Sequence, residues 1–312
     1  MAKDVRTVLQ KADTGVATLA AGGLLSAEDA RQFIKVAIKG TVIARNATVK
    51  PMKNPKLKVP RMRFNDRVLR KGTEATALAL AERSVPNLGE VELDSKLLKA
   101  ELRISKEALE DNIEGKGWLG NLRNAIAEAA RRDLDDLLYN GDTASADTFL
   151  NTLDGVRKQV TANTFDAGNT FLNKGILRDT IKALPVEFQS QRSRMFFHVS
   201  PNMENQLRDS LADRATMLGD KMVVGADSVR IQGSHVQSVD VSPEDLGVDN
   251  KRGELIYIDP KNVYVGFHRV IEMESDIDIS AGVLIVVLSM RVDVKVAVPE
   301  AAVKTTTIKV AA

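Results

Sequence analysis

The chain of 312 residues contains no cysteine, and aromatic side chains make up only 4% of it, with a single tryptophan. The absence of cysteine excludes disulfides and thiolate metal sites, which fits a reducing compartment. Hydrophobic residues still account for 44% of the chain, so a core can form, but it must be built mainly from valine, leucine, isoleucine and alanine. The length allows one large domain or two modest ones.

Long apolar runs are also missing. The first residues lack an apolar segment of signal-peptide length, and the longest apolar run, near 283–288, is too short to cross a bilayer. We therefore expect a soluble protein of cytoplasmic origin without a membrane partner.

Arrangements of catalytic side chains are equally scarce. His198, His235 and His268 lie far apart in the sequence, and none has a partner at metal-binding spacing. Neither a G-x-S-x-G elbow nor a P-loop lysine motif occurs. Residues 115–120 match G-x-G-x-x-G, but the preceding segment has a helical pattern where a dinucleotide site needs a strand, which favours a flexible corner between two helices. We predict no enzyme activity, no cofactor and no metal.

Acidic residues alternate along one predicted strand, at Glu272, Glu274, Asp276 and Asp278. They share one face and could gather a hard cation such as calcium. Side chains two residues apart lie nearly 7 Å from one another, however, too far to wrap one ion unaided. A solvated face, or a surface that meets the basic arm of a neighbouring subunit, is the preferred interpretation.

Positive charge is concentrated near the amino terminus. Residues 35–71 hold twelve basic residues and one acidic residue, whereas the whole chain has a net charge of only +2, so the remainder is acidic. This basic arm could contact phosphates of a packaged nucleic acid or acidic patches on adjacent subunits, or it could be a solvated loop. The first two are favoured over the third, because a proline-interrupted extended segment cannot bury itself. Aromatics are too few for single-strand stacking.

Periodicity predicts an interleaved α+β order without regular βαβ spacing. We expect a helix over 26–40, an extended segment over 41–60, and an excursion over 65–94 whose small side chains cannot make a core of their own. A strand over 100–105, a short helix over 106–112 and one long amphipathic helix follow; Asn140 and Gly141 end that helix, with a left-handed glycine expected.

Further along, 142–172 is loop-rich, 174–188 has a helical pattern and 195–200 reads as a buried strand. Ser200 and Pro201 have the residue types preferred at the N-cap and first position of a helix. Strands dominate beyond Val223.

The run from Val59 to Thr143 resembles major capsid proteins of tailed bacteriophages with the Hong Kong 97-type fold. The resemblance depends on the order of arm, small-residue excursion, strand, short helix and long helix, and on the ending LLYNGD. It implies an α+β capsid fold divided as follows: N-terminal arm 1–64, E-loop 65–94, P-domain 95–175 with spine helix 119–140, A-domain 176–266, and return strands of the P-domain 267–312.

The same resemblance implies a structural protein that assembles into hexamers and pentamers of an icosahedral head enclosing double-stranded DNA. Portal, a separate scaffolding protein and decoration proteins are the other implied partners, and the location is the virion, after assembly in the host cytoplasm. The residues expected at subunit contacts or facing DNA are Lys50, Lys53, Lys56, Lys58, Arg61 and Arg63. Those expected at E-loop contacts between subunits are Arg67, Arg70, Lys71, Glu82 and Arg83.

Two departures from the family qualify this picture. Only about 65 residues precede the E-loop, too few for an arm plus a cleaved scaffolding segment, so scaffolding is expected to be separate or absent. Residues 74–94 contain no lysine, so the lysine–asparagine crosslink of some members is not expected. The alternatives are an encapsulin-like compartment of the same fold and, from another class, a soluble DNA-binding protein.

Overall fold

The computed structural model describes residues 42–63, 67–72, 74, 77–79, 83–84, 86–105, 118–212, 229–247 and 249–310. The predicted helices over 26–40 and 106–112, the glycine corner at 115–117 and Glu82 lie outside the described residues.

The helices and strands are numbered along the described residues. The helices are α1 Val42–Asn46, α2 Trp118–Asn140, α3 Val156–Gln159, α4 Lys174–Ala183, α5 Val186–Gln189 and α6 Pro201–Ala212. The strands are β1 Thr48–Pro51, β2 Lys56–Arg63, β3 Asn87–Asp94, β4 Lys96–Ser105, β5 Thr164–Phe171, β6 Phe196–Val199, β7 Arg230–Ile231, β8 Ser234–Ser238, β9 Arg252–Ile258, β10 Val263–Asp278, β11 Val283–Val296 and β12 Ala302–Lys309. Short 3₁₀ turns lie at Leu150–Thr152, Arg192–Arg194, Pro260–Asn262 and Pro299–Ala301.

The strands of the described residues form three sheets. A four-stranded sheet has the order β1-β10-β11-β4, a six-stranded sheet has the order β5-β12-β9-β6-β8-β7, and β2 pairs with β3 alone. In the first sheet, β10, β11 and β4 are antiparallel neighbours, and β1 runs parallel to β10. Helices and sheets therefore follow one another irregularly, and the expected α+β class is confirmed.

Two apolar cores lie on opposite faces of β9. Ile256 and Ile258 belong to the core that contains α2 and β11, whereas Leu255 and Tyr257 belong to the core that contains α4, β6 and α6. All four side chains are fully buried. A strand buried on both faces needs apolar residues at every position, since successive side chains point to opposite sides. This explains the continuous run from Leu255 to Ile258.

The long predicted helix is α2, which ends at Asn140 as expected. Its residues Leu134, Leu137 and Leu138 are buried in the first core, as the apolar stripe predicts. The expectation that Gly141 is left-handed is wrong, because Gly141 is not among the described glycines with positive φ. Glycine is instead required there by the close approach of the backbone at Leu153 and Gly155.

Two predicted segments differ from the structure. The segment over 41–60 is not wholly extended, since Val42–Asn46 forms the short helix α1. The predicted helix over 174–188 is divided into α4 and α5. The division falls at Leu184 and Pro185, because proline restricts the preceding residue to extended conformations and cannot supply a helical N–H.

The predictions around residue 200 are confirmed. Phe196–Val199 is a buried strand, and the backbone N–H of Met203 donates to Ser200 Oγ at 3.3 Å, so the serine caps α6. His198 is buried in this strand, and burial lowers its pKa to about 4. It is therefore neutral at physiological pH and has the surroundings of a structural histidine.

A buried carboxylate of the long helix holds α1. The backbone N–H of Val42 donates to Asp135 Oδ2 at 3.2 Å, and Arg131 Nη1 lies 3.6 Å from the same oxygen. Burial raises the pKa of Asp135 to about 6, against the opposing effects of the Val42 and Ile43 N–H groups and Arg131. Asp240 adds to the rise. The side chain thus caps a helix far away in sequence, which a local pattern cannot reveal.

We expect Asp135→Asn to change how stability depends on pH. Because the native pKa of about 6 exceeds the usual 3.8, the native state binds more protons than the unfolded state between those values. Asp135 therefore lowers the free energy of unfolding as pH rises from about 4 to above 6, by up to about 3 kcal/mol. Asp135→Asn has no carboxylate to ionise, so it lacks this fall in the free energy of unfolding. Its amide oxygen still accepts the hydrogen bond from the Val42 N–H. Urea unfolding across this range measures the difference.

The exposed Asp133, on the same helix, supplies the control. Asp133→Asn makes the same chemical change at an exposed position of that helix and should leave the dependence of stability on pH as it is in the wild type. Superimposable profiles for Asp135→Asn and wild type would contradict the prediction.

Candidate functional site

The two-stranded ribbon formed by β2 and β3 carries most of the predicted site residues. Its register places Leu57 opposite Leu93 and Val59 opposite Val91 on one face. Opposite residues of an antiparallel pair share a face, so the other face carries Lys56, Lys58, Pro60 and Met62 against Asp94, Glu92, Glu90 and Leu88. The residues 56–63, placed by prediction in the arm, are thus one leg of the hairpin that encloses the predicted E-loop.

The base of the ribbon is attached to the body by buried groups. Leu93 is fully buried, and the backbone N–H of Asp94 donates to Asp293 Oδ2 at 2.7 Å. Burial raises the pKa of Asp293, which also accepts from the N–H of Val294. A Cβ on Gly266 would lie 2.5 Å from Met52 Sδ, so any larger residue there would require the buried methionine beside Leu93 to shift.

Ion pairs cross the outer face of the ribbon. Lys58 Nζ lies 2.5 Å from Glu90 Oε1, and Lys56 Nζ lies 3.4 Å from Glu92 Oε1. The hydrogen bond from Lys58 to Glu90 raises the pKa of that lysine. All four side chains are largely exposed, so each pair contributes little to stability. Both lysines nevertheless form their ion pairs with carboxylates of their own chain.

The six basic residues predicted at positions 50–63 have different surroundings where the structure describes them. Arg61 Nη1 donates to the carbonyl oxygen of Ala297 and is partly buried. Lys50 Nζ lies 5.8 Å from the centre of the Tyr264 ring, within cation–π range. Lys53 is exposed in the turn before β2, and the backbone of Arg63 pairs with Asn87 at the far end of the ribbon.

The far end of the ribbon exposes apolar side chains. Met62 and Leu88 lie directly opposite each other and are 65% and 71% exposed. Beyond them, Leu69 is 84% exposed and Val68 is half exposed. A large apolar pair of this kind on a charged ribbon indicates a surface that another molecule covers.

The described loop residues predicted at subunit contacts lie in the segment that joins β2 to β3. Arg67, Arg70, Lys71 and Arg83 are all exposed. The Arg67 carbonyl accepts a hydrogen bond from Ser84 Oγ at 3.2 Å, which joins the two sides of the loop. Arg83 Nε donates to the Leu78 carbonyl at 3.4 Å.

Sequence reasoning missed the Met62–Leu88 pair and the acidic partners of Lys56 and Lys58. A signal was present, since Glu90 and Glu92 alternate with apolar residues as the lysines do. Antiparallel pairing of these two segments would have placed the charges opposite each other.

Other candidate chemistry remains without support. Within the described part of the chain, no group of three or more His, Cys, Asp or Glu side chains is arranged to hold a metal ion. Glu274 and Asp276 are exposed on β10, and Asp278 Oδ1 accepts from Ser280 in the following turn. No helix among the described residues has both the length and the apolar character to cross a membrane.

Comparisons with known proteins agree with this architecture. The sequence matches the Phage capsid family over residues 21–307. It is 35% identical, over 92% of this chain and 93% of the relative, to the putative prophage capsid protein YqbE of Bacillus subtilis strain 168.

Solved structures share the fold at low sequence identity. The satellite phage P4 procapsid, which includes the size determination protein, has a TM-score of 0.66 at 11% identity and covers 98% of this chain and 99% of its own. The SrpI encapsulin of Synechococcus elongatus PCC 7942 has a TM-score of 0.56 at 11% identity, over 86% and 88%. The expected Hong Kong 97-type fold is confirmed, and the protein belongs to the phage capsid family.

Proposed function

We propose that this protein is a major capsid protein whose copies form the hexamers and pentamers of an icosahedral shell around double-stranded DNA. The observation that carries the proposal is the exposed Met62–Leu88 pair at the far end of a ribbon whose base is fixed to the body. In the isolated chain this apolar surface faces water. A neighbouring copy in a shell of this family's fold would cover it.

The anchored base gives the ribbon a defined direction. Asp293 and the buried Leu93 fix its start, so the far end meets a neighbour at a repeatable distance. Each contact contributes little binding free energy by itself. Because the contact is repeated around a closed shell, the total binding is strong.

Positive charge supplies the contact with DNA in this proposal. Lys53 is exposed and Lys50 is partly so, whereas Lys56, Lys58 and Arg61 already have partners in the chain. Exposed lysine and arginine bind phosphates without reading sequence. Portal, a separate scaffolding protein and decoration proteins complete the proposed assembly in the virion, which forms in the host cytoplasm.

An encapsulin-like compartment is the second candidate, because an encapsulin shares the fold. The relative at 35% identity is a putative prophage capsid protein, which favours a genome container. The predicted division into arm, E-loop, P-domain, A-domain and return strands stays part of the proposal. Its boundary at 267 falls inside β10, and β12 lies in the six-stranded sheet.

We expect particles purified from infected or induced host cells to contain DNA that resists added nuclease until the particles are opened. The measurement is nuclease digestion of purified particles before and after disruption, with electron microscopy of the same sample. Closed shells that hold protein cargo and no protected DNA would favour the compartment instead. A chain that stays monomeric and binds duplex DNA would contradict both.

A further inference from the structure

An open cleft of about 270 Å³ lies where α1 meets the six-stranded sheet. Phe196 of β6 stacks on His235 of β8 there, with the ring centres 5.0 Å apart, and both side chains are partly exposed. Ile258, opposite Phe196 on the same face of the sheet, is fully buried. The face that is covered by the first core at β9 is therefore open at β6 and β8. The residues that line the cleft are Asn46, Arg194, Phe196, Asp259, Pro260 and Lys261.

Positive charge surrounds this aromatic pair. Arg230 of β7 lies opposite His235, and opposite residues share a face, so Arg230, His235 and Phe196 form one row across three strands. Arg194 and Lys261 line the cleft beside Phe196. All three cationic side chains are exposed.

The chain neutralises little of this charge. In the described part of the chain, neither Arg230 nor Lys261 takes part in an ion pair. Arg194 Nε lies 3.8 Å from Asp259 Oδ2, near the outer limit for an ion pair. Asp259 Oδ1 accepts the backbone N–H of Lys261 at 2.9 Å, and Asp259 is the one acidic residue among those that line the cleft. A polyanion would therefore find cations here that carboxylates of this chain do not cover.

The spacing of the cations suits a nucleic-acid backbone. Neighbouring strands lie about 4.8 Å apart, so the three steps from β7 through β8 and β6 to β9 span about 14 Å. Lys261 follows the end of β9. Phosphates of one DNA strand recur about every 3.4 Å along the duplex axis, so a row of this length crosses about four of them.

The predicted arm continues the positive charge beyond the cleft. Thr48 Oγ1 donates to the Lys261 carbonyl at 3.0 Å, which joins β1 to the turn that carries this lysine. Lys50 lies two residues further along β1 and is therefore on the same side of that strand as Thr48. Cations from the body and from the arm thus adjoin one another.

We propose that this cleft binds the phosphate backbone of the packaged double-stranded DNA, with Arg194, Arg230 and Lys261 as its cationic groups. The side chains of Asn46 and His235 add hydrogen-bond donors beside them. Contacts of this kind position a duplex without reading its sequence. The proposal rests on the proposed function, and it places a DNA-binding surface on the body of the protein in addition to the arm.

Removal of the three charges tests the cleft. The cleft variant is Arg194→Gln, Arg230→Gln and Lys261→Gln in the full chain, kept at a concentration below that at which particles form. Fluorescence anisotropy with a short labelled DNA duplex at several salt concentrations measures the affinity. We expect the affinity to fall at least about tenfold, and the slope of log affinity against log salt to become shallower by about 2–3, because three phosphate contacts are lost.

The matched control removes the same charge from α4, whose apolar residues pack in the second core on the opposite face of the sheet. Lys174→Gln, Arg178→Gln and Lys182→Gln change exposed side chains and should retain the affinity and the salt slope of the wild type. Circular dichroism checks that both variants are folded.

Three results would overturn the proposed cleft. They are wild-type affinity and slope in the cleft variant, a wild-type chain that does not bind the duplex, and a wild-type chain that binds polyglutamate in preference to it, which would assign the cleft to an acidic protein. The proposed function is judged separately by the DNA content of particles. Nuclease-protected DNA in wild-type particles would uphold the proposed function even if the cleft failed, whereas closed particles without DNA would overturn it.

Discussion

Aspartate at both Met62 and Leu88 is expected to abolish shell formation and to leave a folded monomer. The two side chains are among the most exposed apolar groups of the described residues. Replacing them therefore lowers the stability of the isolated subunit little. Like charges placed opposite each other weaken a strand pair by less than about 1 kcal/mol. The ribbon base, held by Asp293 and Leu93, is distant from the change.

The effect on assembly is much larger, because it is repeated in every copy. Burying one such apolar side chain contributes about 1.5–3 kcal/mol, and burying a carboxylate without a partner costs several kcal/mol more. Each subunit loses this contact, so the closed shell, which depends on many weak contacts together, does not form.

Size-exclusion chromatography and negative-stain microscopy read the outcome, and circular dichroism checks that the subunit is folded. The matched control is Met62→Leu with Leu88→Met, which retains apolar volume at both positions and should assemble normally. Normal particles from the aspartate variant would show that this end of the ribbon is not buried in the shell.

Local patterns predicted the elements whose signals lie within one segment. The stripe through Leu134, Leu137 and Leu138 identified the long helix, and Ser200 with Pro201 identified the start of α6. The extended conformation predicted over 41–60 is found in β1 and in the first half of β2.

Features that depend on contacts distant in sequence could not be predicted in this way. Helix α1 begins at Val42, and the N–H of Val42 donates to Asp135, which lies 93 residues further along the chain. The partners of Lys56 and Lys58 depend on the antiparallel register with β3. The arm was predicted only as a basic segment, and the structure places its charges in several settings.

The glycine after the long helix shows the same limit, since its type was anticipated and its reason was not. The expected reason was a left-handed backbone, but the structure gives a close crossing of two chain segments. A Cβ on Gly141 would lie 2.5 Å from the Leu153 carbonyl oxygen and 2.6 Å from that of Leu137. The N–H of Gly155 donates to the Gly141 carbonyl at 2.8 Å, which holds the segments together.

Gly141→Ala is consequently expected to destabilise the subunit by about 4 kcal/mol or more, at the severe end for a single substitution. The contacted atoms are backbone oxygens, so no side chain can turn aside, and the long helix and the loop 153–155 must separate. Leu137, Leu138 and Leu153, all in the first core, would lose packing together. Because two backbone segments must move apart, the added methyl group should destabilise the subunit far more than ordinary overpacking does.

The measurement is urea unfolding in the Met62→Asp, Leu88→Asp background, because unfolding then reports on the subunit alone. The two sites share no described contact, so their effects should add. Gly72→Ala is the matched control, since a Cβ there meets nothing within 4 Å, and it should change the free energy of unfolding by less than about 0.5 kcal/mol. If Gly141→Ala cost as little as Gly72→Ala, the crossing would be looser than these distances describe, and glycine at the helix end would need another explanation.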